Sequence, residues 1–434
     1  MKTSRSFTGS QDNFEPKIRR ADVGEMTKGA LMKNRILALT IVVLMTALLM
    51  NACAGHTPDA GTTVQMEKET DEMKDNTQQQ QTHADDPADP VEAEAPTGAE
   101  ATVEAAPVEG EQVEASVRPP HEPTGIVKLG TALSGAVFAG DYGFDAFLES
   151  GGAKSDADVF EFLSTLTDTL LVPNPDQAAF ACSTTQLKSE NGYLFGRNLD
   201  WDNCNALVLT SYPTDGYASV STVNTDFITG TTGKLPEDVL ILAAHYAPLD
   251  GINEKGLCIS VNMLPDGEIL NQNTDKPDLQ ITTAVRLMLN RAATVEEAVE
   301  LLGQYDLHRS YNSETHFMIA DAAGACVAVE YIRNEMIVID AKVMTNCYLA
   351  EGELYGKGKP EAQKRYDAIV AATAGKESFT ADEARDVMAC ARRSTVLADH
   401  ITQWTVIYDQ TRLTSEFYHR EDYTAAYPFS LFAD

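Results

Sequence analysis

The chain has 434 residues, with 33 Lys and Arg against 65 Asp and Glu, for a formal net charge of −32. So acidic a protein repels phosphate backbones, which excludes nucleic acid as a partner. Its 8 His and 7 Cys form no CxxC and no zinc-ligand spacing, so the composition implies neither a metal nor another cofactor.

Residues 1–31 carry no clear pattern. Met32-Lys33-Asn34-Arg35 then leads into an apolar run, 36–50, that closes on Asn51-Ala52-Cys53. The run is short for a membrane span and right for the apolar part of a signal peptide. A small residue before Cys53 resembles the lipobox of a bacterial lipoprotein, with Asn51 a departure from that pattern. The resemblance implies that 1–53 is a leader, that Cys53 is lipidated, and that the anchor holds the chain on the extracytoplasmic face of the membrane. An uncleaved anchor helix is the other reading, and Met32 is a second candidate start.

Residues 54–125 hold 17 Asp and Glu against 3 Lys and Arg, and almost no large apolar side chains. Nothing there offsets the entropy of ordering the backbone, so the segment reads as a disordered, self-repelling tether. From 126 the composition becomes globular. Residues 141–148 carry foldable content and 156–170 read as a helix. Strands at 183–188 and 193–198 flank Glu190-Asn191-Gly192, where a hairpin reverses. That hairpin returns Arg197 and Asp200 beside Cys182.

Further strands are predicted at 239–245, 256–262, 315–320 and 325–332, the last two joined by Asp321-Ala322-Ala323-Gly324, and at 335–345, 403–409 and 413–419. Apolar residues recur at helical spacing over 279–291, 295–302, 362–373 and 381–391. Hairpins and helices in separate blocks indicate an α+β fold of antiparallel sheets covered by helices. Cys258, Cys326 and Cys390 lie in apolar runs and read as small buried hydrophobes.

Six pieces occur in order from Cys182 to the C-terminus. They are Cys182-Ser183-Thr184, Phe195-Gly196-Arg197-Asn198-Leu199-Asp200-Trp201, the stretch from Asp250-Gly251-Ile252-Asn253 to Leu257, Val343-Met344-Thr345-Asn346, Lys364-Arg365-Tyr366, and the stretch from Thr402-Gln403-Trp404 to Asp409. Together they resemble the choloylglycine hydrolase group of N-terminal-nucleophile amidases. That group includes bile salt hydrolases, penicillin V acylases and acid ceramidase-like members. The resemblance implies a four-layer αββα sandwich and a cysteine that becomes N-terminal by autoproteolysis, here at Ala181–Cys182. The chemistry is sound in itself, because a freed α-amine with a pKa near ~8 accepts a proton that a peptide nitrogen cannot. One residue then supplies nucleophile and base.

By the same resemblance Arg197 lies beside the sulfur, Asp200 orients the α-amine, Asn346 is an oxyanion donor and Arg365 is a second active-site arginine. The second oxyanion donor falls on Asn262, or on the backbone N–H of Met263 one residue later. Residues 126–181 resemble the N-terminal segment of ceramidase-like members and are expected to remain as a small subunit beside 182–434. Loops 210–235 and 265–277 are expected to build the pocket for a small-molecule acyl amide. Bile amides, penicillins, N-acyl amino acids and homoserine lactones all stay open, as do acyl transfer and assembly into a homo-oligomer. Two other classes are weighed: a papain-like hydrolase pairing Cys182 with His316 or His400, and a ligand-binding surface lipoprotein without catalysis.

Overall fold

The computed structural model describes residues 122–173, 181–230, 234–264, 267–393 and 401–432. The leader, Cys53, nearly all of the tether and His400 lie outside the described residues. Strands β1 (Val127–Gly130) and β2 (Leu133–Gly140) are followed by helices α1 (Phe144–Glu149) and α2 (Asp156–Thr167). β3 (Ala181–Ser189), β4 (Gly192–Trp201), β5 (Ala206–Pro213) and β6 (Ser219–Asn224) come next, then α3 (Asp226–Thr229) and α4 (Glu237–Ala244). β7 (Asp250–Asn253), β8 (Cys258–Met263) and the short β9 (Asp278–Gln280) precede α5 (Ile281–Arg291) and α6 (Val295–Leu302). β10 (Asp306–His308), β11 (Thr315–Ala320), β12 (Cys326–Ile332), β13 (Glu335–Asp340) and β14 (Val343–Met344) lead to α7 (Pro360–Thr373) and α8 (Ala381–Cys390). β15 (Ile401–Asp409), β16 (Thr414–His419) and β17 (Ala426–Ser430) complete the described elements.

One sheet runs β1-β2-β5-β6-β7-β8-β11-β12-β13 and a second runs β14-β3-β4-β15-β16-β17. Helix α5 packs on β7 and β8 of the first sheet, α7 and α8 pack on β3 of the second, and β3 meets β8 between the sheets. The order is helix, sheet, sheet, helix, the predicted four-layer α+β sandwich. Because β3 is covered on both sides, it is buried along most of its length and carries no simple alternation.

The 183–198 hairpin forms as expected, with Ser189 paired to Gly192 and a two-residue turn. Gly192 adopts φ 152°, a conformation few other residues take. Gly196 permits the close approach of α8, since a Cβ there would lie 2.8 Å from Met388 Cγ.

Five expectations are corrected. Residues 239–245 form helix α4 instead of a strand: an unbroken apolar run has no diagnostic period, and Pro236 with Glu237 and Asp238 supplies a helix start. Not all pairing is antiparallel, because β2 runs parallel to β5. Residues 210–235 are largely β5, β6 and α3 rather than loop, and 335–345 breaks into β13 and β14. Cys390 is exposed, because α8 turns Ala384, Val387 and Met388 inward. All six cysteines among the described residues are free thiols.

Candidate active site

The period of β3 and β4 divides the site between two faces. Cys182 pairs with Leu199 and Thr184 with Arg197, so these four share the face toward the first sheet; Ala181 with Asp200, and Ser183 with Asn198, share the face toward the helices. Thr184 Oγ1 lies 3.0 Å from Ser260 Oγ on β8, and Asn198 Nδ2 donates to Met388 O of α8 at 2.8 Å, which fixes the two directions.

On the inter-sheet face, Arg197 Nη2 donates to Cys182 Sγ at 3.6 Å and to Val261 O at 3.1 Å. Its Nε lies 3.1 Å from Asp250 Oδ2, and both side chains are fully buried. Arg197 and Asp200 do not pair with each other, because their side chains leave the strand on opposite faces.

On the helix face, Asp200 Oδ1 accepts from Thr402 Oγ1 at 2.6 Å. Its Oδ2 makes no hydrogen bond and sits 3.5 Å from Arg365 Nη1. Burial raises the Asp200 carboxyl above its ordinary range, with Arg365 and Thr402 pulling the other way. Arg365 reaches in from α7, donating to Cys182 O, to Ser183 Oγ at 2.8 Å and to Asn346 Oδ1 at 2.6 Å.

Asn346 arrives because β14 pairs antiparallel with β3, Met344 opposite Thr184, so continuing that register two residues brings it level with Cys182. Its Oδ1 accepts the Cys182 N–H at 2.8 Å and its Nδ2 donates to Met263 O at 2.7 Å. The α-nitrogen of Cys182 thus faces Asn346 in this uncut chain, and the Asp200 carboxylate faces Arg365. Asn262 directs its amide to Met344 O and Thr345 O at 3.2 and 3.4 Å, and accepts from Thr184 Oγ1 at 3.1 Å. The group from this stretch that reaches the sulfur is the Met263 backbone N–H.

Burial pushes the Cys182 thiol up to about 11, against the pull of Arg197 and Arg365 and with a further push from Asp200. Such a thiol is protonated at neutral pH. His316 is engaged elsewhere, its Nδ1 3.0 Å from Glu330 Oε1 and its Nε2 2.8 Å from Thr345 O. That leaves neither ring nitrogen free for the papain-like pairing. Asp250 received no role from the sequence, although it opens one of the quoted pieces; only the facing of the two sheets shows what it touches.

Residues 182–348 match the linear amide C-N hydrolases, choloylglycine hydrolase family. The match begins at Cys182 and ends two residues past Asn346, so Arg365 and the 402–409 stretch lie beyond it. This agrees with the family read from the motifs. A penicillin V acylase from Pectobacterium atrosepticum is 30% identical over 110 residues, which is 22% of this chain and 29% of that protein. The chain thus aligns with under a third of that relative's length. Among solved structures, a variant of conjugated bile acid hydrolase from Clostridium perfringens overlays with TM-score 0.43 at 17% identity, covering 58% of this chain and 92% of the other. Penicillin V acylase from Agrobacterium tumefaciens overlays with TM-score 0.38 at 16% identity, covering 57% and 84%.

Proposed function

We propose that this chain is an autoprocessing amidase that hydrolyses a linear, non-peptide carbon–nitrogen amide through a thioester on Cys182. The observation that carries the reading is the placement of Cys182: its sulfur lies 3.6 Å from Arg197 Nη2 and its α-nitrogen 2.8 Å from Asn346 Oδ1. The family match over 182–348 supports the reaction class.

In the first step the thiol adds to the Ala181 carbonyl and the C–N bond breaks, leaving a thioester on sulfur and a free α-amine on Cys182. Water then hydrolyses the thioester, releasing the Ala181 carboxylate. In each later turnover the α-amine takes the thiol proton, the sulfur adds to the substrate carbonyl, and the leaving amine departs with that proton; water, deprotonated by the α-amine, then cleaves the thioester, releasing the acid and restoring the thiol. Asn346 Nδ2, held by Met263 O in the uncut chain, together with the Met263 N–H, is suited to face the oxyanion. Asp200 Oδ2, buried and without a hydrogen bond, is suited to accept from the new α-ammonium.

Residues 122–173 are built into the fold, which supports their retention as a small subunit after scission. β2 ladders along the whole of β5, and Phe144, Phe147, Phe160 and Leu163 are buried. Each such side chain contributes about 1.5–3 kcal/mol. Lipid anchoring at Cys53 is part of the same proposal; Cys53→Ser is expected to abolish incorporation of labelled fatty acid, and labelling that persists would refute it.

The test of the reaction is to mix the self-cleaved protein with a panel of acyl amides, from bile amides to phenoxyacetyl and N-acyl amino-acid amides, and quench in acid. A Cys182 peptide heavier by the acyl group is expected. Hydrolysis that survives Cys182→Ala would overturn the assignment.

A further inference from the structure

Asp250 begins β7 in the first sheet, yet its carboxylate crosses to the second. Oδ2 lies 3.1 Å from Arg197 Nε and accepts from Trp404 Nε1 at 3.2 Å, while Oδ1 accepts from Tyr408 Oη at 2.6 Å. The Trp404 ring also lies under the guanidinium, 5.6 Å from Arg197 Cζ. The backbone that presents Asp250 is seated tightly, since a Cβ on Gly251 would fall 2.7 Å from Val220 O. A carboxylate removed from water at this depth is costly unless paired and hydrogen-bonded, and here each oxygen is engaged.

Arg197 itself holds the sulfur with one long N–H···S contact, too soft to fix a flexible side chain. On its other side lie the buried ion pair of Nε with Asp250 Oδ2 and the Trp404 ring, while Nη1 makes no hydrogen bond, so the charge of Asp250 is what anchors that side. We propose that Asp250 is a positioning residue that locks Arg197 against Cys182 Sγ, so that the thiolate is stabilised only while the Asp250–Arg197 pair is intact. The proposal rests on Cys182 being the nucleophile.

Two effects of opposite sign compete. The negative charge of Asp250 by itself disfavours a thiolate, whereas its hold on Arg197 favours one. Arg197 touches the sulfur, whereas the carboxylate of Asp250 meets Arg197, Trp404 and Tyr408, so the hold prevails. The other groups facing the thiol are Arg365 from α7, Asp200 from the helix side of β4 and the Met263 N–H from β8.

The experiment is the rate of Cys182 alkylation by iodoacetamide across pH, read by peptide mass spectrometry. It is run on self-cleaved wild type, Asp250→Asn, Asp250→Ala, Arg197→Ala and the double Ala variant; a variant that stays uncut is read as the intact chain. Asp250→Ala and Arg197→Ala are each expected to raise the apparent pKa of the thiol by about one pH unit, with the double variant no worse than either single. Asp250→Asn keeps the shape of the side chain and covers the case in which Asp250→Ala does not fold. It is expected to shift the same way by less. A fall in the apparent pKa of Asp250→Asn, no change, or additive single effects would overturn the proposal. If the wild type never exposes Cys182 as a new N-terminus, the amidase reading fails instead, and the alkylation series on intact chains still decides whether Asp250 holds Arg197.

Discussion

Arg197 and Arg286 are both fully buried, and their surroundings differ in kind. Arg286, on α5, donates from Nε to His245 O at 3.0 Å, from Nη1 to Ser219 Oγ at 2.9 Å and from Nη2 to Ser221 Oγ at 3.0 Å. Its neighbour His245 stacks on Tyr142 at 4.0 Å and meets Ser211 Oγ at 2.9 Å. Every acceptor around Arg286 is neutral, and the network closes on itself. Around Arg197 the network instead combines a carboxylate, a thiol and a backbone carbonyl, and on the other face of the strand Asp200 Oδ2 faces Arg365 without a hydrogen bond. A polar cluster whose groups are mutually satisfied is packing; one that keeps a nucleophile and an unmatched acceptor is arranged for chemistry.

If the contrast is real, substitutions in the two clusters separate activity from stability. Asn346→Ala is expected to lower kcat by about 100- to 1,000-fold, the usual loss of an oxyanion donor, measured per cleaved molecule by active-site titration. Arg286→Met strands three acceptors and is expected to lower unfolding stability by about 1–3 kcal/mol. In that variant kcat per folded molecule should stay near wild type, as checked by urea titration beside steady-state kinetics. Ser211→Ala should cost about 1 kcal/mol by the same measurement, again with kcat unchanged.

A pH experiment gives the smallest and finest distinction. Burial pushes the Glu330 carboxyl up, but the hydrogen bond and charge of His316 and the amides of Leu349 and Ala350 outweigh it, leaving the group below its ordinary range. A depressed carboxyl stabilises the fold in full above the ordinary glutamate range, and that contribution is lost as pH falls through the depressed value. Glu330→Gln should therefore flatten the acid limb of the melting-temperature profile relative to wild type. An unchanged limb would show that Glu330 carries none of the acid sensitivity.

The hairpin at Cys182 was legible because its residues, its turn and its spacing act locally. The helices of 281–302 and 360–390 were legible from their apolar period. The helix at 237–244 was not, since its run of apolar residues suits either structure and only its first turn decides. Nor was the parallel β2–β5 pairing, which joins strands some seventy residues apart in the chain. In the site, Arg197 and Asp200 could be placed near the sulfur from the hairpin, but the faces they occupy follow from register, and Asp250 belongs to the other sheet. Asn262 and Met263 differ by one residue, which in a strand means opposite faces.

The most direct measurement is the intact mass and N-terminal sequence of protein expressed from Ala54, beside Cys182→Ala. A larger fragment beginning at Cys182, present in the wild type and absent in the variant, is the predicted result. A wild-type chain that stays whole and still hydrolyses amides would contradict the N-terminal nucleophile.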